Sequence, residues 1–476
     1  MYISRLKYLN RRTFLNRAAQ LTALGAAAPL AMNLIGASEA AAFEATDYKA
    51  LVCVFLYFGN DQSNTLIPYD TTNYDLYSAI RGGGANRTQG GIALGRSALT
   101  ATALTPGNGQ TLTDDIQYAL APQLTGLKSL FNAGKMAVQL NVGPLVVPLT
   151  RAQYDGGNRG AYPVPAQLFS HNDQQSFWQS MAIEGATAGW GGKMADLAMA
   201  NNGNAGLTCI SAGGTAVFVS GRNAVPYQID TTGAIPISGI TNRYFGTNAT
   251  QAALKTLLAQ QSGRYLEDDY SNIAQRSMTM CDTVNTALGG VSLSTNFNPS
   301  GVTNPLADQL KIVARLIGAR NTLGMKRQVF FVGLGGFDQH DNLMRDHPAL
   351  MSKVNEAMTA FYNATVEMGV SNNVTTFTAS DFGRTLESNG DGSDHGWGGH
   401  HFIVGGAVKG GQFYGTAPHV SVTSDDQIGQ GRLLPTTSVD QMGATLARWF
   451  GVPDSQMTTV LPRIGNFATA DMGFMG

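Results

Sequence analysis

Cysteine is scarce in this chain of 476 residues, and the three that occur, Cys53, Cys209 and Cys281, share no paired spacing. An odd, scattered set argues against a disulfide framework and against a thiolate zinc site, so each reads as a small buried apolar residue. Charge is scarce as well. Asp, Glu, Lys and Arg make up 13% of the residues, against an ordinary share of about 25%. The formal net charge is −1 and no basic block occurs beyond the N-terminal region, which leaves no electrostatic reason to expect nucleic acid as a partner. Apolar runs long enough to cross a bilayer are missing too, because the stretch from Ala18 to Leu34 is short and diluted by Gln20, Thr22, Pro29 and Asn33. What is plentiful is glycine, with 57 residues, so long loops are expected.

Residues 1–42 read as an export signal. Arg5, Lys7, Arg11, Arg12 and Arg17 form a basic region, an alanine-rich apolar stretch follows, and Ser38, Ala40 and Ala42 offer a cleavage boundary. Arg11-Arg12 before Thr13-Phe14-Leu15 resembles the bacterial twin-arginine signal, a route that carries folded proteins. The expected partner is the twin-arginine translocation machinery, and the expected location is periplasmic or secreted, with no stable transmembrane anchor after cleavage. Removing the leader leaves 26 basic against 31 acidic residues, a net charge of −5.

Residues 43–476 are expected to form one α/β domain. Tyr48 to Phe58 is a continuous apolar run that stops at Gly59-Asn60-Asp61 and predicts a central strand covered on both faces. Helical spacing over Leu120 to Ala133 precedes a strand at Met136 to Val142. A helix bearing Leu306, Leu310, Val313 and Ile317 leads to a strand at Val329 to Val332. A second helix, bearing Leu350, Val354, Met358 and Phe361, leads to a strand at Val374 to Ala379. Such alternation predicts a mostly parallel sheet with helices on both faces. Residues 205–300 are expected to form an inserted cap.

The segment Asp394-His395-Gly396-Trp397-Gly398-Gly399-His400-His401 holds three of the seven histidines and a carboxylate among three glycines. Imidazoles and carboxylates are common ligands of zinc and similar divalent ions, and glycines let a loop turn several of them to one point. The rest of a metal site is expected from other loops. Asp61, Ser170-His171-Asn172-Asp173, Asp338-Gln339-His340 and Asp381 all follow predicted strands or open helices, and in a parallel sheet such loops share one edge. Split between two ions roughly 3.5 to 4 Å apart, these groups would make a two-metal site acting on an ester.

Gly59-Asn60-Asp61, Ser170-His171, Gly336-Phe337-Asp338-Gln339-His340, Ser380-Asp381-Phe382-Gly383-Arg384-Thr385 and Asp394-His395-Gly396 together resemble the bacterial family numbered 1501 among the domains of unknown function. That family is similar in architecture to the alkaline phosphatase and sulfatase superfamily. The resemblance implies divalent metal ions, two of them, with zinc first and calcium, magnesium or manganese open. It implies metal ligands at Asp61 and Asp338, a nucleophile at Ser170, and a late histidine ligand at His400 or His401. Asp394-His395-Gly396 resembles the superfamily's Asp-His-Gly element, yet here the residue directly off the strand is Asp381, so either Asp381 or Asp394 serves as ligand. His340 lies closer to Asp338 than the usual pair spacing. His171 joins Ser170 as a catalytic candidate, and Arg384 either holds a substrate oxyanion or pairs with Glu387. The implied activity is hydrolysis of a small phosphate or sulfate ester; the alternative is a noncatalytic binding protein on the same scaffold.

Overall fold

The structure, a computed structural model, describes residues 44–84, 89–237, 239–241 and 248–476; the expected signal at 1–42 lies outside the described residues. Strand β1, Lys49–Leu56, is buried from Ala50 onward. Alternation along a strand sends successive side chains to opposite faces. Ala50, Val52, Val54 and Leu56 therefore enter one core, and Leu51, Cys53 and Phe55 the other. The main sheet continues with β2, Met136–Gly143; β3, Cys209–Ser211; β4, Tyr227–Asp230; β5, Arg327–Leu334; β6, Val374–Ser380; and β7, Gly399–Gly405. Their spatial order is β2-β7-β6-β1-β5-β3-β4. β1 pairs in parallel with β5 and β6, as does β3 with β5 and β4. β7 is reversed, running antiparallel to both β2 and β6.

Five helices matter below: α1, His171–Ser180; α2, Tyr265–Gly289; α3, Pro305–Gly318; α4, Leu343–Glu367; and α5, Val439–Phe450. α3 starts where Asn304 caps the Ala307 N–H and Pro305 takes the first turn, a position that lacks an intrahelical partner for its nitrogen anyway. Its Leu306, Leu310, Val313 and Ile317 join the core on one face of the sheet. α5 opens with a Ser438–Gln441 capping box, ends at Gly451 with φ 116°, and packs Met442, Leu446 and Phe450 into the opposite core. The mostly parallel sheet with helices on both faces is thus present.

Two segments differ from expectation in detail. The helix expected from Leu120 runs only over Thr125–Asn132. Pro122 disfavours helical backbone in the residue before it, and Tyr118–Leu120 pairs instead with Leu66–Pro68. Within 205–300, the stretch expected as a cap, β3 and β4 extend the edge of the main sheet, and α2 buries Val284 and Leu288 in the core that also holds α3. The three cysteines are buried and unbridged. Among the described residues no helix is long and apolar enough to cross a membrane.

Candidate metal centre

The parallel strands β1, β5 and β6 end at one edge of the sheet, and the reversed β7 begins there. Loops that follow β5 and β6 and the loop that precedes β7 therefore converge. Residues 381–398 form a doubled-back excursion: Gly383 N–H donates to the Trp397 carbonyl at 3.0 Å, Thr385 N–H to that of Asp394 at 2.9 Å, and Arg384 bridges to His395. Glycine is required where the limbs cross. A Cβ on Gly383 would lie 2.0 Å from the Gly398 carbonyl oxygen, and one on Gly396 would lie 2.5 Å from that of Gly383.

Asp338, from the loop after β5, is the meeting point. His395 Nε2 lies 3.2 Å from its Oδ1 and His340 Nε2 3.1 Å from the same oxygen. His171 Nε2, from the first turn of α1, lies 3.4 Å from Oδ2. The Nε2 atoms of His340 and His395 are 2.9 Å apart. On each ring Nδ1 is held from behind: by Asp381 Oδ2 at 2.8 Å for His171, by Asp394 Oδ1 at 3.1 Å for His340, and by the Phe169 carbonyl at 2.8 Å for His395. A carbonyl oxygen only accepts, so His395 Nδ1 carries a proton and in the neutral ring Nε2 keeps its lone pair. The carboxylates impose the same tautomer on the other two rings. A ligating histidine characteristically has one nitrogen anchored to a carboxylate or carbonyl and the other turned to the ion.

The anchors are themselves fixed. Asp381 is fully buried and also accepts the Phe58 N–H at 3.0 Å and Gln175 Nε2 at 2.8 Å. Asp394 accepts Asn389 Nδ2 at 3.0 Å. The buried Arg384 donates Nη1 to Asp338 Oδ1 at 3.0 Å, and its remaining nitrogens bind the Ser393 carbonyl. Burial opposes the charged forms of Asp338 and Asp394, yet the Arg384 guanidinium for the first, and Asn389 with His340 for the second, hold both carboxyls below the usual range. Burial would lower His171, but Asp381 and Asp338 outweigh it and raise the ring above its ordinary value. Burial prevails at His395 and lowers it.

The donor set fits a divalent ion of the zinc type. Zn–N bonds of about 2.0–2.1 Å in a tetrahedron place donors roughly 3.3 Å from one another, close to the 3.2 and 3.4 Å that separate Asp338 from His395 and His171. Donor atoms of His171, Asp338 and His395 all lie within 4.8 Å of one another. With Asp338 at 42% exposure and His340 at 40%, the cluster is open to solute.

Of the sequence-predicted site residues, the structure brings together His171, Asp338, His340 and His395, with Asp381, Asp394 and Arg384 behind them. Ser170 caps α1 next to His171 without a side-chain cap bond. Arg384 is committed to Asp338 and backbone oxygens rather than to Glu387. Three residues make none of these contacts. Asp61 is buried against Arg81 Nη2 at 2.7 Å and Ser393 Oγ at 2.6 Å, and accepts the Asn64 N–H. His400 accepts the Asn141 N–H at 3.1 Å, and His401 packs on Trp178; burial holds their rings neutral, at about 4 and about 3. Both belong to β7, whose residues are all buried. Sequence reasoning missed Gln175, Asn389 and the Phe169 carbonyl. Gln175 carried a signal, since it stands four residues after His171 and so on the same helical face; a backbone carbonyl carries none.

The family described as Protein of unknown function (DUF1501) matches residues 48–461, and the chain belongs to it. No curated protein matches the chain. Among solved structures, Ps i-CgsB in complex with k-i-k-neocarrahexaose is 11% identical over 88% of this chain and 77% of its own, with a TM-score of 0.33. PsFucS1 sulfatase from Pseudoalteromonas sp. is 9% identical over 87% and 72%, with a TM-score of 0.34. A mutant of alkaline phosphatase PafA is 10% identical over 72% and 64%, with a TM-score of 0.26. Likenesses of this size carry no argument about activity.

Proposed function

We propose that this family member is an exported, metal-dependent hydrolase of small phosphate or sulfate esters, centred on His171, His340, His395 and Asp338. One observation carries the reading: three imidazoles, each anchored through Nδ1, turn Nε2 toward a single carboxylate. An imidazole-rich set favours zinc over calcium or magnesium. The described donors suffice for one ion, because Asp61, His400 and His401 are engaged elsewhere. An ion bound there would supply Lewis-acid polarisation of an ester oxygen. Ser170 stands at the amino end of α1, where free backbone N–H groups favour an anion. Its hydroxyl oxygen would attack phosphorus or sulfur, the departing alcohol oxygen would take up the proton, and water would then cleave the seryl ester to restore Ser170. Arg384 keeps Asp338 in place rather than meeting substrate. The leader with Arg11-Arg12 supports export of the folded chain to the periplasm or beyond.

A noncatalytic, metal-binding role is favoured by one specific feature: the three Nδ1 atoms are held by their anchors and the three Nε2 atoms face Asp338, so an ion held there would leave Ser170 without an imidazole base. The test is metal analysis of the purified full chain together with turnover of 4-nitrophenyl phosphate and 4-nitrophenyl sulfate. We expect about one equivalent of zinc and hydrolysis that is lost in Asp338→Ala. Bound zinc without turnover selects the noncatalytic role, and failure to bind any divalent ion overturns both.

A further inference from the structure

Helix α2 exposes large apolar side chains that the chain's own core does not use. Leu266 is 79% exposed, Tyr270 63% and Ile273 51%, and the exposed Ser277 continues the row. The spacing alternates four and three residues along one stripe, the pattern by which a helix seam meets a second helix. Leu257, 64% exposed, borders the same groove with Leu266 and Tyr270. Exposed large apolar side chains clustered in this way mark a docking site.

The flanking charges select the occupant. On the outer side of the stripe stand Asp269 and Arg276, both exposed; on the inner side stand the exposed Glu267 and the buried Ala274. Two copies of α2 set antiparallel, with Tyr270 opposite the second copy's Ile273 and Leu266 opposite its Ser277, place Asp269 opposite Arg276 twice, once on each side of the two-fold axis. Sliding one helix by seven residues in either direction sets Arg276 against Arg276 or Asp269 against Asp269. One register alone is both apolar at its centre and charge-matched at its rim. We propose that α2 is the homodimerisation element of this protein, pairing antiparallel with a second copy of the same chain about a two-fold axis near residues 271–272.

The experiment is sedimentation velocity and light scattering on the purified full chain across a concentration series, with circular dichroism to verify that each variant is folded. The native chain is expected at twice its monomer mass. Asp269→Arg alone, or Arg276→Asp alone, sets like charges together twice and should weaken the dimer by on the order of tenfold or more at low salt. Asp269→Arg combined with Arg276→Asp should restore it. Tyr270→Glu with Ile273→Glu should give monomer with unchanged metal content, since these positions lie outside the metal cluster. A native chain that stays monomeric, or a dimer that persists in Tyr270→Glu/Ile273→Glu, overturns the proposal, as does failure of the double charge exchange to rescue. None of these outcomes depends on whether the metal centre is catalytic.

Discussion

Replacing Asp381 with Asn tests whether the buried anchors, as well as the facing donors, determine metal affinity. Asp381 presents Oδ2 to His171 Nδ1 and Gln175, and Oδ1 to the Phe58 N–H. An asparagine of the same shape keeps its oxygen on the Phe58 N–H, the demand it can still meet. Its NH2 group then faces His171 Nδ1, which must become the acceptor. The ring tautomer inverts, Nε2 takes the proton, and the lone pair facing Asp338 is lost. Removing such an anchor typically costs 10- to 100-fold in metal affinity, or about 1.4 to 2.8 kcal/mol. Competition against a chromophoric chelator at neutral pH measures the affinity, with near-ultraviolet circular dichroism as the check on folding. A folded Asp381→Asn variant that binds zinc within twofold of the native chain would refute the reasoning, because His171 would then have no part in holding the ion.

Asp61 offers the contrasting outcome. Asp61→Asn breaks a fully buried pair with Arg81 and should cost about 3–5 kcal/mol of stability in urea unfolding, while the folded fraction keeps its zinc stoichiometry; loss of metal from folded protein would return Asp61 to the ligand set. Stability should also fall in mild acid. His347 and His400 are held down to about 4 and His401 to about 3, chiefly by burial. The unfolded chain therefore takes up protons first, near 6.5, and stability that is full above that value is lost as pH drops from 6.5 toward 4. Thermal unfolding at a series of pH values should show this slope, and His400→Gln should flatten it.

The fold was legible because its strands are doubly covered and therefore continuously apolar: Tyr48 to Phe58, Val329 to Val332 and Val374 to Ala379 each announced a strand of the central sheet. Their loops carried Asp338 and Asp381, and the glycine-rich segment carried Asp394 and His395, so most of the cluster could be read from position alone. What could not be read was direction and phase. Nothing in Phe402 to Val404 reveals that β7 is reversed, and within β7 the burial of His400 and His401 depends on what packs against both faces. Asp61 shows a different limit. A carboxylate after the first strand has the same local sequence whether it meets an ion or the guanidinium of Arg81, twenty residues away and marked by no motif.

The first strand among the described residues sits in the middle of the sheet, registered on one side to Arg327 and beyond and on the other to Val374 and beyond. During synthesis, β1 leaves the ribosome with neither neighbour yet made, and it waits for more than three hundred residues before both edges are satisfied. An apolar, unpaired strand held that long is a template for aggregation, so shielding the nascent N-terminal segment should raise the soluble yield. Truncation before Ser380 should yield insoluble chains however intact the N-terminal half remains.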